Sequence, residues 1–313
     1  MNYAHISQQN SFKTKIVLAI YFAIYLFIGL LIDVIILNQP SLTHSLELLI
    51  TLQVTPYATI ILFGIGAVSL MVAITSFARI QLSGEEYIEI TEQNTSHGSP
   101  YAKYREFYNI MEGLKISANM QYMPKLYVIN ANYMNAFASG WTPNNTLVAI
   151  TSSLWDKLNR QEREAVLAHE LTHIKNADIK LTLIVGVASN IMLFVLNWIV
   201  YIFLRGSRSG GAQKARMILL ILQLILPIVT VILQMWMSRS REYMADAGAV
   251  ELIRDPRAMA SALRKISNDY DANDYSQEDD NPTRKEAYIF QKGDSIFSTH
   301  PSIKNRLKKL ENW

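Results

Sequence analysis

Long apolar runs dominate the pattern of this chain. Ile16 to Leu37 carries Asp33 as its one charge, Ala58 to Phe77 carries none, Ile179 to Leu204 holds one Lys near its start, and Met217 to Met237 holds no charge. About 20 apolar residues in a helix cross a ~30 Å hydrocarbon core, so the pattern predicts four apolar helices arranged as two hairpins. Between and after these runs the periods change. Glu85 to Ile90 alternates weakly and reads as a strand or a connector. Phe107, Ile110, Met111, Leu114 and Ile116 recur at near-helical spacing, which predicts a helix over residues 101–118 that ends near Asn119. Lys125 to Asn130 reads as a strand. Phe137 to Gly140 and Thr146 to Thr151 read as a hairpin around the turn Thr142-Pro143-Asn144-Asn145. Asn159-Arg160-Gln161-Glu162 has the form of a capping box, and Ala165, Val166, Leu167, Ala168 and Leu171 supply the apolar face of the helix it opens.

Composition extends this picture. Half of the 313 residues are hydrophobic and only 18% are charged, the balance of a membrane protein. The first apolar run is too long for a signal peptide's apolar stretch and has no small-x-small site after it, so it reads as a retained anchor. The tail before it carries Lys13 and Lys15, the connection from Asn38 to Tyr57 carries no Lys or Arg, and Arg79, Lys103 and Arg105 follow the second run. The positive-inside tendency therefore places both ends of the first hairpin, and the domain after it, at the cytoplasmic face. Around the second pair the loop from Arg205 to Arg216 holds Arg205, Arg208, Lys214 and Arg216, against that tendency. Two readings stand: two full crossings, favoured by segment length, or a hairpin that does not fully span. Zero cysteines exclude disulfides and thiolate ligands and are compatible with a reducing cytoplasm. A net charge of +3 with no basic stripe interleaved with aromatics gives no indication of nucleic acid. Asn268 to Asn281 carries Asp269, Asp271, Asp274, Glu278, Asp279 and Asp280. It reads as a flexible, solvated loop, because the glycine of a calcium loop is absent.

The chemistry sits in His169-Glu170-Leu171-Thr172-His173. Two histidines four apart share one face of a helix and can reach a single ion, while Glu170 projects to the same cleft as a base for water activated by that ion. A zinc site needs a third protein ligand and an open position. Glu242, in Ser238-Arg239-Ser240-Arg241-Glu242-Tyr243-Met244-Ala245-Asp246, is the best candidate. Asp246 follows one helical turn later, on the same face, as a carboxylate suited to hold the outer nitrogen of a ligand histidine.

These residues resemble the HtpX family of membrane-embedded zinc metallopeptidases. The likeness rests on His169 to His173, on Asn176-Ala177-Asp178, on the Ser238 to Asp246 run, on Asn135-Ala136-Phe137-Ala138-Ser139-Gly140, and on Thr299-His300-Pro301-Ser302-Ile303-Lys304-Asn305-Arg306. It covers the chain from about residue 120 to the end; the N-terminal tail and the acidic segment depart from the family's pattern. The resemblance implies one Zn²⁺ per chain, hydrolysis of peptide bonds in membrane or misfolded proteins at the cytoplasmic face of a bacterial inner membrane, and a place in protein quality control and stress response. It also puts forward His300 and Arg306 as groups facing the oxyanion, and Asn135 as a residue contacting substrate or site. The segments near Asn135 to Ser139 and Leu147 to Ile150 are candidates for pairing with an extended substrate backbone.

The expected fold is α+β, mainly α: an integral membrane protein with transmembrane helices and a zincin-like cytoplasmic catalytic domain holding a small sheet. The expected parts are a tail and hairpin over 1–78, a first catalytic part over 79–178, a second hairpin over 179–237, and a second catalytic part over 238–313. Partners are membrane lipid and protein substrates; the sequence leaves the oligomeric state open. A prenyl-protein (CAAX-type) endopeptidase shares the motifs but brings more spans. A non-catalytic membrane scaffold would have lost Glu170, and a transporter would carry ionisable residues inside its spans.

Overall fold

The computed structural model describes residues 3–37, 39, 41–75, 82–142, 145–179, 193, 196, 197, 200, 201, 210–275, 288, 289 and 301–312. They divide into two compact units, one of residues 1–12, 76–183 and 234–313, the other of residues 13–75 and 184–233.

The second unit is built on apolar helices. α1 (Tyr3–Leu37) enters it from residue 13, and a short helix α2 (Leu42–Ile50) leads to α3 (Tyr57–Thr75). Among the described residues one helix is long and apolar enough to cross a membrane, Gln8–Leu37 with a mean hydropathy of 2.6; Tyr57–Val72 and Leu220–Val229 are apolar but shorter. Most of 179–204 lies outside the described residues. α1 and α3 run antiparallel and touch closely. A Cβ at Gly29 would strike the Thr59 backbone, and the rings of Phe22 and Phe63 lie 5.1 Å apart. The one charge of the first apolar run has a specific task. Asp33 accepts Ala58 N–H at 2.9 Å, Thr59 N–H at 2.9 Å and the Thr59 hydroxyl at 2.7 Å, capping the positive end of α3.

The first unit carries a four-stranded mixed sheet in the order β1-β2-β4-β3, with β1 Tyr87–Ile90, β2 Lys125–Ile129, β3 Ala136–Thr142 and β4 Asn145–Thr151. β2 and β4 are parallel, and the other two pairings are antiparallel. Of Glu85 to Ile90, the last four residues thus form a strand. A 3-10 turn at Ala102–Tyr104 precedes α4 (Arg105–Ser117), whose Phe107, Ile110, Met111 and Leu114 are buried. α5 (Ser152–Lys157) leads to α6 (Arg160–Asn176), which packs against β3, β4 and α4. Its residues 165 to 174 are all buried, so this helix is the centre of the core and hydrophobic burial holds its motif in place.

Two sequence expectations change. The fourth apolar run and the helix bearing Glu242 form one helix, α7 (Gly210–Ile253), with Pro227 inside it. No Gly or Pro stands between residues 228 and 247, so nothing breaks the helix where apolar gives way to polar sequence. Residues 210–216, expected in a loop, are its first turns. Likewise the acidic stretch begins inside α8 (Pro256–Ala272), where Asp269 pairs with Lys157 and accepts the Tyr275 hydroxyl at 3.0 Å. Residues 276–281 lie outside the described part. α9 (Ile303–Leu310) closes the unit against α8.

The capping box at the start of α6 is present as expected, and it does more than cap. Glu162 accepts Asn159 N–H, the Ser261 hydroxyl at 2.7 Å and Lys265 Nζ at 2.8 Å, tying α6 to α8. Burial alone pushes the Glu162 carboxyl up, but Lys265, Asn159 N–H and Ser261 outweigh it and hold the pKa below the usual value. A carboxyl depressed on folding contributes stability above its unfolded pKa and loses it as the pH falls through the folded one. Glu162→Gln is therefore expected to lower the melting temperature at neutral pH and to flatten its decline below about pH 4.5, as read by thermal unfolding across pH.

Candidate metal centre

α6 brings His169 and His173 to one face, and α7 delivers Glu242 opposite. The helices approach so closely that a Cβ at Gly248 would fall inside the Thr172 side chain. The two imidazole Nε2 atoms lie 3.1 Å apart. Glu242 Oε2 is 3.5 Å from His169 Nε2, and its Oε1 is 3.8 Å from His173 Nε2. His169 and Glu242 are 0% and 1% exposed, and His173 8%. Donor atoms of the three all fall within 4.8 Å of one another, the spacing of ligands that could share one ion.

The outer nitrogens decide the tautomers. His169 Nδ1 is 3.0 Å from Asp246, and His173 Nδ1 is 3.0 and 3.1 Å from the two oxygens of Asp178. In a neutral imidazole the nitrogen that faces an ionised carboxylate carries the proton, and each Nε2 then turns a lone pair inward. Two lone pairs at 3.1 Å, with a carboxylate beside them, repel one another unless a cation lies among them. Charge points the same way: four carboxylates, Glu170, Asp178, Glu242 and Asp246, gather at the two histidines, with Arg241 beside Glu242 and Arg306 beside Glu242 and Asp246. Burial works to lower the pKa of His169, yet hydrogen bonds with Asp246 and Glu242 push it up to about 9. The pocket thus recruits positive charge, and the donor set of two imidazoles and one carboxylate is one that suits zinc.

Glu170 is 1% exposed, and neither carboxylate oxygen has a hydrogen-bond partner among the described residues. Burial raises its pKa above the usual carboxylate range, with Glu242 adding and the histidines and Arg306 opposing. Such a group is poised to bind a proton.

Arg306 lies behind these candidate ligands. Its Nε donates to Asp246 at 2.9 Å, Nη2 donates to the same carboxylate at 2.6 Å, and Nη1 donates to the Ile289 carbonyl at 2.7 Å and lies 3.6 Å from Glu242. Burial pushes Asp246 up, but the guanidinium and His169 hold it low; burial likewise works against the charge on Arg306, which Asp246 and Glu242 hold up. Asn135 is brought to the start of β3, where its Nδ2 donates to the Tyr270 hydroxyl at 2.9 Å and its Oδ1 accepts Ala136 N–H. His300 lies outside the described residues. β3 is an edge strand, and Tyr288–Ile289 lies along part of it: Phe137 bridges Tyr288, and Ile289 N–H donates to Ala136 O at 3.0 Å. β4 has β2 on one side and β3 on the other, so Leu147 to Ile150 has no edge to offer a substrate strand, contrary to expectation.

Asp178 and Ile289 were given no role by the sequence reading. Asp178 had a legible signal, a carboxylate just past the end of a ligand helix. Ala177 ends α6 in a left-handed turn (φ 56) that swings Asp178 back onto His173. Ile289 acts through its backbone, which leaves no mark in side-chain identity.

Comparison with known proteins bears on what this arrangement is. The profile of peptidase family M48 matches residues 101–313. A "Protease HtpX homolog" of Helicobacter acinonychis (strain Sheeba) is 49% identical over 310 residues, covering 99% of this chain and 98% of its own length. One of Helicobacter pylori (strain Shi470) is 49% identical over 309 residues, with the same coverage. Among solved structures, the crystal structure of S. mikatae Ste24p aligns with 82% of this chain and 58% of its own, at TM-score 0.49 and 18% identity. The chain belongs to peptidase family M48 and, within it, to the HtpX proteases.

Proposed function

We propose that this membrane-bound zinc metalloprotease holds its ion on His169, His173 and Glu242 and uses Glu170 as the base that takes a proton from water. The observation that carries the assignment is the pair of Nε2 atoms 3.1 Å apart beside Glu242, with a carboxylate 3.0 Å from the opposite nitrogen of each ring. Zinc held by these three residues would supply Lewis acidity towards the scissile carbonyl and towards water. Glu170, buried and with neither oxygen hydrogen-bonded among the described residues, receives the proton and passes it to the leaving amine. Asp246 and Asp178 hold the imidazoles in the tautomer that binds metal, and Arg306 holds Asp246. Arg306 spends its donors on Asp246 and Ile289, which favours a positioning role over direct contact with the oxyanion; His300 stays a candidate for that contact. A substrate backbone adds to the β3 edge beyond Phe137, along which no further strand pairs among the described residues.

The membrane arrangement we favour is a multi-pass protein of the cell membrane: the charge pattern sets α1 and α3 as its first hairpin with the catalytic parts, 79–178 and 238–313, at the cytoplasmic face, and segment length favours a second apolar pair that crosses twice. A metal site bracketed by apolar segments acts on membrane proteins or misfolded chains that reach this surface, as in quality control under stress. Glu242→Ala is expected to lower bound zinc from one per chain to well below it, measured by elemental analysis after dialysis. Full zinc in that variant moves the third ligand elsewhere.

A further inference from the structure

We infer that α2 lies in the membrane interface, with one apolar stripe sunk among lipid headgroups and acyl ends; this rests on the reading of α1 and α3 as a membrane hairpin. The hairpin sets the levels. Asp33 caps the first turn of α3, so it marks one end of the antiparallel pair, and Lys13 and Lys15 mark the other. From Lys15 to Asp33 the helix rises about 27 Å at ~1.5 Å per residue, close to the ~30 Å of a hydrocarbon core. Everything between Asp33 and Tyr57 stands beyond that core. A segment standing in water would carry charge, yet this one holds no Lys or Arg and Glu47 as its one acidic residue.

The faces of α2 say where it rests. At about 100° per residue, Leu42, Leu46 and Ile50 form one stripe, Ser45 and Leu49 a second, and Thr43, His44, Glu47 and Thr51 a third. Ser45 and Leu49 are buried. Leu42 and Ile50 are 63% and 75% exposed and Leu46 is half-exposed. The polar face is exposed throughout. Three consecutive turns of outward aliphatic side chains beside a polar face is the pattern of a helix lying in an interface. Ile36 (67%), Leu52 (72%) and Tyr57 (69%), next to α2 in sequence, are also exposed. This apolar surface is contiguous in the chain with two helices read as lipid-facing, and lipid is the occupant such continuity selects. With no Lys or Arg on α2, the attachment is apolar and does not select anionic headgroups.

The chain contains no cysteine, so single-cysteine variants can each take one nitroxide label. The variants are Leu42→Cys, Leu46→Cys, Ile50→Cys, Thr43→Cys and Glu47→Cys, with Val68→Cys, 56% exposed on α3, as the hairpin control. Full-length protein in phosphatidylcholine vesicles is probed by electron paramagnetic resonance with oxygen and a water-soluble nickel chelate. The expected result is an oxygen-to-nickel collision ratio several-fold higher at 42, 46 and 50 than at 43 and 47, unchanged when phosphatidylglycerol is added. Equal nickel access on all faces of α2 overturns the proposal while a lipid-buried Val68 label leaves the hairpin intact. Exclusion of both probes with dipolar broadening overturns it in favour of a second copy of the chain. Nickel access at Val68 overturns the hairpin itself, and the inference with it.

Discussion

Glu170→Gln is expected to reduce peptide hydrolysis by about 10²- to 10⁴-fold, the usual contribution of a positioned general base, while bound zinc stays at the wild-type level. The amide is nearly isosteric and adds no charge to a pocket where both carboxylate oxygens are without partners among the described residues. It cannot take up the proton that burial prepares Glu170 to accept. The zinc-binding groups do not hydrogen-bond to Glu170, so the metal has no reason to leave. Zinc analysis and casein cleavage on the detergent-purified variant separate the two effects. Retained cleavage with full zinc removes Glu170 from its role as base.

The largest effect on stability is expected at Arg306. Arg306→Ala removes a fully buried guanidinium and takes from Asp246 its bidentate partner, from Glu242 one of its two neighbouring arginines and from the Ile289 carbonyl the Nη1 donor. Breaking a buried ion pair from one side costs about 3–5 kcal/mol, because the charge left behind stays buried. Arg306→Lys keeps the charge but not the two-pronged geometry, and it recovers only part of the loss. Chemical denaturation of zinc-loaded protein checks the size of the effect. Zinc affinity should fall with stability, since an unsupported Asp246 orients His169 less firmly. A variant as stable as the wild type overturns this reading of the network.

Much of the site was readable because its signals are local. The two histidines and Glu170 depend only on helical spacing, and the capping box that starts their helix lies within four consecutive residues. Glu242 and Asp246 were readable once a third ligand was required and one helical turn separated them. Three strands of the sheet are legible as apolar runs between turn signals, whereas the weak alternation of Glu85 to Ile90 leaves strand and connector open. What escaped depends on the tertiary fold. Residues 210–253 form one helix because no breaker interrupts it, although composition changes abruptly near Met237. Asp178 reaches His173 only through the left-handed turn at Ala177, and Arg306 engages Asp246 across 60 positions of sequence. The paired edges of β4 follow from strand order, which alternation along one strand does not encode.

X-ray absorption at the zinc edge of the purified wild-type protein, beside Glu242→Ala, tests the metal assignment most directly. Two imidazole nitrogens and a carboxylate around one zinc per chain, with the carboxylate signal lost or the zinc gone in the variant, is the expected result. A wild type that binds no zinc, or a coordination shell unchanged by the loss of Glu242, would contradict it.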